Sequence, residues 1–207
     1  MNTKAILFDL DDTLVDTKKR HFNVVKDFIS AYGKTLNFEE YLNMRKTNNW
    51  SNSQIIKQIY NLNEKDFSTF WKINIESRKY LNYDVEIVNN DLLMKLKSKS
   101  DYDFILLSLR SNFDSAEEQF KKFSFSFLFD KYCFLEHDEI NPKIEKLKYF
   151  KNLYQHIIFI SDSQADYDAA TKAGIEFIGV QSGMYHLPCI ENFDNINSFL
   201  LKNIQYA

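Results

Sequence analysis

The stretch FDLDDTL, from Phe8 to Leu14, sets Asp9, Asp11 and Asp12 within four residues, directly behind the apolar run Ala5–Phe8. Carboxylates crowded in this way repel one another unless a cation or a shared proton lies between them. Ser108 follows another apolar run, Phe104–Leu107, and Ser161 and Asp162 follow Ile157–Ile160, with Asp166 one helical turn later. If these runs are strands of one open parallel sheet, a hydroxyl and several carboxylates reach the same edge, where such sheets bind ligands. Asp162 and Asp166, four residues apart, share a face if a helix starts at Asp162. Oxygen donors without neighbouring His or Cys suit a hard cation such as Mg²⁺, held by a few carboxylates and a substrate phosphate. A cation there offsets the repulsion and frees Asp9 to attack phosphorus, while Asp11 protonates the leaving oxygen and then activates water. The plainer alternative, that these aspartates cap helices, suits Asp162 or Asp166 singly. Caps do not require the pair Asp9-x-Asp11.

The elements that must position these groups are legible as short apolar runs. Ala5–Phe8, Phe104–Leu107, Ile157–Ile160 and Phe177–Val180 are too short for helices and too continuous for half-exposed strands, so they read as strands buried on both faces. Helical patterns alternate with them: Val88–Lys97 carries Leu92, Leu93 and Leu96, and Ile144–Tyr154 carries Ile144, Leu147, Phe150 and Leu153. The expected fold is α/β, a doubly wound parallel sheet of Rossmann-like type. About 95 residues separate Phe8 from Phe104, whereas one crossover needs little more than about a dozen. The excess reads as a helical insert at residues 16–83, leaving 1–15 and 84–207 as the core. Within the insert Phe22, Val25, Phe28, Ile29 and Tyr32 recur at helical spacing with Gly33 as the stop. Ser51 is placed to cap a helix bearing Ile55, Ile56 and Ile59, and Asn63 one bearing Phe67, Phe70 and Trp71. Met44–Asn52 reads as a polar loop carrying Arg45, Lys46, Asn49 and Trp50, either an ordinary turn or a substrate contact. The alternating FSFSFLF, residues 123–129, reads as an edge strand or packing segment.

Composition narrows the function classes. The formal net charge of −3 offers no global attraction to nucleic acid or an anionic membrane. The two cysteines, Cys133 and Cys189, stand apart beside apolar residues and read as core positions in a reducing compartment. The N-terminus does not read as a signal peptide, and no apolar run spans a bilayer; a cytoplasmic protein is expected. Glycine is scarce, at four residues, so asparagine is expected to take many of the turn positions.

On these residues the chain resembles the haloacid dehalogenase-like hydrolases over nearly its whole length outside the insert. DLDDTL is similar to the first motif of that family, D-x-D-x-T-L. LLSLRS (Leu106–Ser111) resembles the second, ISDSQADYDAA (Ile160–Ala170) the fourth, and TKAGIEFIGVQSG (Thr171–Gly183) the stretch that follows. The resemblance implies Asp9 as nucleophile forming an aspartyl-phosphate and Asp11 as general acid/base. It further implies Ser108 on the transferring phosphoryl oxygens, and Mg²⁺ bound by Asp9, the Asp11 carbonyl and Asp162 with support from Asp166. Family members with dehalogenase activity lack the second Asp, so Asp11 points to phosphoryl chemistry. The third motif, a lysine, falls within Phe127–Phe150; Lys143 is preferred to Lys146 although Pro142 precedes it, where the family more often has the proline after the lysine. Ser161 stands where the family usually has Gly, which Ser can replace if its φ is negative. Leu109 and Arg110 follow the second motif; Arg110 either reaches a substrate phosphate or is a surface ion-pair partner. His137 reads as exposed, and Asp12 and Asp168 as local loop or helix partners.

The insert is similar in position to the family's helical C1 cap, which implies a small phosphorylated metabolite as substrate and a monomer or small homo-oligomer. Two rival readings are a phosphomutase of the same family and a phospho-receiver domain. The receiver is disfavoured because here the acidic pair leads the chain and a second acidic pair follows the lysine.

Overall fold

The computed structural model describes residues 3–123, 125–136, 142–181 and 191–206. In chain order the strand β1 (Lys4–Phe8) is followed by β2 (Val15–Asp16) and five helices, α1 (Lys18–Ser30), α2 (Phe38–Asn48), α3 (Asn52–Gln58), α4 (Glu64–Asn74) and α5 (Arg78–Leu81). Then come β3 (Val85–Glu86), α6 (Asn90–Lys99), β4 (Tyr102–Leu109), α7 (Phe113–Lys122), β5 (Lys131–Leu135) and α8 (Pro142–Leu153). The chain ends in β6 (His156–Ser161), α9 (Gln164–Ala173), β7 (Glu176–Val180), β8 (Glu191–Phe193) and α10 (Ile196–Tyr206). Among the described residues two compact units separate, one being Asp16–Val85 and the other the residues before and after it. β2 and β3 pair where the chain passes from one unit to the other and back.

The first unit is built on a six-stranded parallel sheet in the order β5-β4-β1-β6-β7-β8. Alternate side chains of each strand enter opposite layers, as the pleat requires. Ile6, Phe8, Phe104, Leu106 and Ile160 pack with Leu93 and Leu96 of α6, Phe120 of α7 and Phe199, Leu200 and Ile204 of α10. Ala5, Leu7, Ile105, Leu107, Ile157 and Phe159 pack on the other face with Leu147 and Phe150 of α8 and Ala169, Ala170 and Ala173 of α9. Burial on both faces explains why these strands are continuous apolar runs. The chain builds outward from β1 through β4 to β5, then returns to the far side of β1 for β6, β7 and β8. That reversal makes the carboxyl end of β1 the switch point at which open α/β sheets form crevices. Phe8 lies in register with Leu106 and with Ile160, so the residues just beyond each run emerge at one edge.

The second unit has its own core, in which Val25, Phe28 and Ile29 of α1 meet Tyr41 of α2, Ile55 and Ile56 of α3 and Phe67 of α4. Ser51 caps α3 in a full capping box with Gln54, and the Asn63 side chain accepts from Lys65 N at 2.9 Å at the start of α4. Asn49 and Asn61 adopt the left-handed φ values of 51° and 50° that glycine would otherwise supply.

Several sequence expectations change. Met44–Asn48 is helical, the end of α2, and Arg45 is buried there because its guanidinium and the Tyr41 hydroxyl both bond Asn52. Tyr32, Ile59 and Leu153 fall at or past helix ends and are exposed at 48%, 49% and 54%. Of the two readings of FSFSFLF the packing segment holds and, among the described residues, the edge strand does not: Phe125–Phe127 is a 3-10 turn that turns Phe125, Leu128 and Phe129 into the core while Phe127 faces out. Helix α9 begins at Gln164 with Ser163 as its cap, so Asp162 precedes the helix and helical spacing does not link it to Asp166. His137, Cys189 and the last two residues of Thr171–Gly183 lie outside the described residues.

Candidate active site

The loop after β1 is held tightly by its own backbone. Asp9 N extends the sheet by donating to Ile160 O at 2.9 Å. Leu14 N and Val15 N both donate to Leu10 O, at 2.9 and 3.1 Å, and Asp12 N donates to Val15 O at 2.7 Å. The turn needs a left-handed residue, and Asp12 takes it with φ 56°, a conformation that Asp tolerates better than most side chains. Asp9 and Asp12 are buried, at 7% and 8% exposure.

Lys143, in the first turn of α8, reaches into this loop. Its Nζ donates to Asp9 Oδ1 at 2.8 Å and to Asp166 Oδ2 at 2.7 Å. Lys146, by contrast, lies over the rings of Tyr149 and Phe150. Asp166 also accepts from the Ser161 hydroxyl at 2.6 Å, and its backbone N–H donates to Ser163 Oγ at 3.1 Å, so both ends of the residue are fixed. Ser161 is fully buried and lies outside the residues with left-handed φ, which is how a side chain is accommodated there.

Burial and like charge set the proton affinities. The Asp9 carboxyl is pushed up to about 7: burial is the largest cause, Lys143 pulls the other way, and Asp166 and Asp11 add repulsion. Burial also lifts Asp162 well above the usual carboxylate range, with repulsion from Asp12, Asp9 and Asp166. Asp162 as a residue is half-buried. For Lys143 burial alone would lower the ammonium pKa, but Asp166 and Asp9 outweigh it and the net shift is upward, so Lys143 is charged.

At the end of β4, Ser108 is buried and Leu109 half-buried. Arg110 makes an ion pair, as one of its two readings expected, but a buried one and not one on the surface. It is 3% exposed and grips Asp11 with both terminal nitrogens, Nη1 to Oδ2 at 2.8 Å and Nη2 to Oδ1 at 2.5 Å. Nη2 also donates to Gln119 Oε1 at 3.3 Å, which ties the fork to α7. A bidentate guanidinium holds its partner as an ionised acceptor. A cavity of about 330 Å³ borders Lys143 and Asp166, with Leu109 and Ile144 in its wall.

The model of the haloacid dehalogenase-like hydrolase family matches residues 6–180 of the sequence, well over half of it. The chain belongs to this family. Solved structures of the same fold include a predicted phosphatase from Clostridium acetobutylicum, 17% identical, with a TM-score of 0.71 over 99% of both chains. Another, called a predicted phosphoglycolate phosphatase, from Haemophilus somnus, is 22% identical with a TM-score of 0.67 over 98% of both chains. One bearing the name beta-phosphoglucomutase, from Thermotoga maritima, is 17% identical with a TM-score of 0.66 over 99% of both. No curated protein matches the chain by sequence.

Members of this hydrolase family generally use Mg²⁺, and the donor chemistry here fits such a cation. Asp9 and Asp162 are oxygen donors whose proton affinity is raised first by burial and then by neighbouring carboxylates, a repulsion that a cation would offset. Among the described residues no three acidic, His or Cys side chains are already gathered as a ligand set. Lys143 lies between Asp9 and Asp166, and the Asp11 side chain is turned to Arg110. Two contributions were not anticipated from the sequence. Ser161 holds Asp166, and Arg110 holds Asp11. The signal for the first was a hydroxyl at the strand end next to an acid; for the second, an Arg directly after the second strand.

Proposed function

We propose that this hydrolase is a phosphatase that cleaves small phosphate monoesters through an aspartyl-phosphate on Asp9. The observation that carries the reading is the buried Lys143 ammonium bridging Asp9 and Asp166, which orients one Asp9 oxygen and leaves the other for attack on phosphorus. In this reading the Asp9 oxygen forms the bond to phosphorus as the ester oxygen leaves. Asp11, released from Arg110 and protonated, supplies the proton to that oxygen; it afterwards takes a proton from a water whose oxygen bonds phosphorus as the Asp9 oxygen–phosphorus bond breaks, releasing inorganic phosphate and restoring the Asp9 carboxylate. Ser108 and Lys143 stabilise the charge on the phosphoryl oxygens, and Leu109 and Arg110 border the substrate. Asp9, Asp162 and the Asp11 carbonyl would hold Mg²⁺ with Asp166 in support, and the ion would neutralise phosphate charge. The expected division into a catalytic core and a helical C1-type cap, and a cytoplasmic setting, belong to the same proposal.

Asp9→Asn should abolish hydrolysis of a generic aryl phosphate with Mg²⁺ present while the thermal melt shows an intact fold. Turnover retained in that variant removes Asp9 as nucleophile. The fold shared with the protein named beta-phosphoglucomutase supports a second reading, transfer of the phosphoryl group back to a sugar hydroxyl. Release of inorganic phosphate rather than an isomerised sugar phosphate separates the two.

A further inference from the structure

We propose that the sheet unit binds a small monocarboxylate with an apolar tail, toward the edge of the sheet opposite the Asp9 loop. A cavity of about 330 Å³ opens there between α6, α10 and the amino-terminal parts of β1, β4 and β6. Ile6 and Ile158, in register on neighbouring strands, form its floor, and Leu96 of α6 and Phe199 of α10 its walls. Two residues nearer the start of β1 stands Lys4, whose ammonium turns to Asp101 at 2.9 Å. At that level β1 sends out a charged group, and the space between the two helices stays open. The mouth is polar. Lys99, the last residue of α6, lines it and donates to Ile204 O of α10 at 3.3 Å. An ammonium has three donors, and among the described residues this one has no other partner and no carboxylate opposite it. Asp101, also at the mouth, is already answered by Lys4.

An uncompensated positive charge at the mouth of an apolar cavity selects an anionic head on an apolar tail. Burial of the tail against Ile6, Ile158, Leu96 and Phe199 drives binding, and the charge fixes its direction. Asn203 supplies a second contact for a planar head. One of its amide N–H groups is committed to Phe199 O at 2.8 Å, and the other has no partner among the described residues. A carboxylate with two oxygens can accept from Lys99 and Asn203 together. The volume is at the small end for ligand sites, so a short acid fits and a long acyl chain does not. A purely structural role, in which Lys99 only satisfies a carbonyl near the end of α10, accounts for the Ile204 contact. It leaves the apolar cavity and the unanswered charge above it unexplained. The inference goes beyond the phosphatase reading and depends on none of its residues.

The full chain, labelled with ¹³C at its isoleucine methyl groups, is titrated with hexanoate in chelator at constant pH and ionic strength. The Ile6 and Ile158 methyl signals, assigned through Ile6→Val and Ile158→Val, should shift together and saturate with a Kd of about 10 mM or below. Acetate, which lacks the tail, and hexanol, which lacks the charge, should each bind at least about tenfold more weakly. Lys99→Glu, at an exposed position, should weaken hexanoate by at least about tenfold and hexanol by much less. The comparison of the three ligands on the parent chain stands whether or not that variant folds. Absence of a saturable shift at Ile6 and Ile158 overturns the proposal. So does acetate or hexanol matching hexanoate, or undiminished hexanoate binding in folded Lys99→Glu. Shifts centred instead on Ile144, in the wall of the cavity beside Lys143, place the acid near Asp9 and overturn it as well. Because the readout is methyl shifts without Mg²⁺, this pocket can fail while hydrolysis of aryl phosphate by the Asp9 site stands.

Discussion

Replacing Lys143 by Met removes the one cation between two buried carboxylates and tests the reasoning about the site most directly. The side chains of Lys143, Asp9 and Asp166 are 11%, 9% and 4% exposed, so water does little to screen them. Breaking a buried ion pair by deleting one partner costs about 3–5 kcal/mol. Asp166 keeps its bond from Ser161, which places the expected loss near the lower figure, about 3 kcal/mol at about pH 8. The loss should depend on pH with a definite sign. Asp9 already sits at about 7 with Lys143 opposing its protonation, and without Lys143 it moves higher. A carboxyl whose folded pKa is raised contributes stability at acid pH that fades as pH climbs from its unfolded value through the folded one. The Lys143→Met deficit should therefore shrink between about pH 8 and about pH 5.5, by roughly 1.4 kcal/mol for each unit over which one carboxyl carries the extra proton. Urea denaturation in chelator at the two pH values measures this, and hydrolysis of an aryl phosphate should fall about a thousandfold with the nucleophile protonated and the phosphoryl charge unopposed. Stability within about 0.5 kcal/mol of the parent at the higher pH, with turnover within about tenfold, would refute the bridging role.

Arg110→Ala frees Asp11 from both guanidinium bonds and should lower kcat by about 10- to 100-fold with a smaller change in KM, measured by steady-state kinetics. Arg110→Lys should recover only part of the loss, because one ammonium cannot reproduce the fork. Ser161→Ala deletes the 2.6 Å bond to buried Asp166 and should cost about 1–3 kcal/mol in denaturant melts, with activity falling alongside. Chelation should abolish turnover of aryl phosphate, and added Mg²⁺ should restore it and raise the melting temperature, since it offsets the repulsion among Asp9, Asp12, Asp162 and Asp166.

The sheet was legible because strands buried on both faces must be apolar at every position, and Ala5–Phe8 or Ile157–Ile160 admit no other economical reading. The long interval after Phe8 announced helices for the same reason: one crossover does not use so many residues. What failed were the short or marginal pieces. Arg45 looked like loop chemistry because its type is usually exposed, and only a partner seven positions away, Asn52, makes its burial tolerable. The alternation of FSFSFLF left an edge strand and a packing segment both open; adjacent Leu128 and Phe129 both enter the core, which a period of two forbids, so the packing segment is the reading that stands. β8 is a three-residue edge with little pattern to detect.

The acids of the site were readable one by one, since each follows an apolar run and open sheets place such residues at one edge. Their charge state was not. Whether Asp9 is a free carboxylate or a half-protonated one depends on Lys143 arriving from 134 positions away, and on Asp166 sharing that ammonium. The same holds for Arg110, whose type allowed a surface ion pair or a phosphate contact; the ion pair is there, but buried and made with Asp11. Lys143 Nζ and both terminal nitrogens of Arg110 are thus already engaged by the chain's own carboxylates. For a substrate phosphate to take bonds from Lys143, it must compete with Asp9 and Asp166, and for Asp11 to carry a proton it must leave Arg110. Opposing charges that hold the carboxylates in place also hold them back, so bringing a phosphate and a divalent cation into this cluster has to redistribute both cations. Kinetics of Arg110→Ala and Lys143→Met should differ accordingly if the proposed roles hold: the first loosens only Asp11, the proposed proton carrier, and the second deprives Asp9, the proposed nucleophile, of its counter-charge.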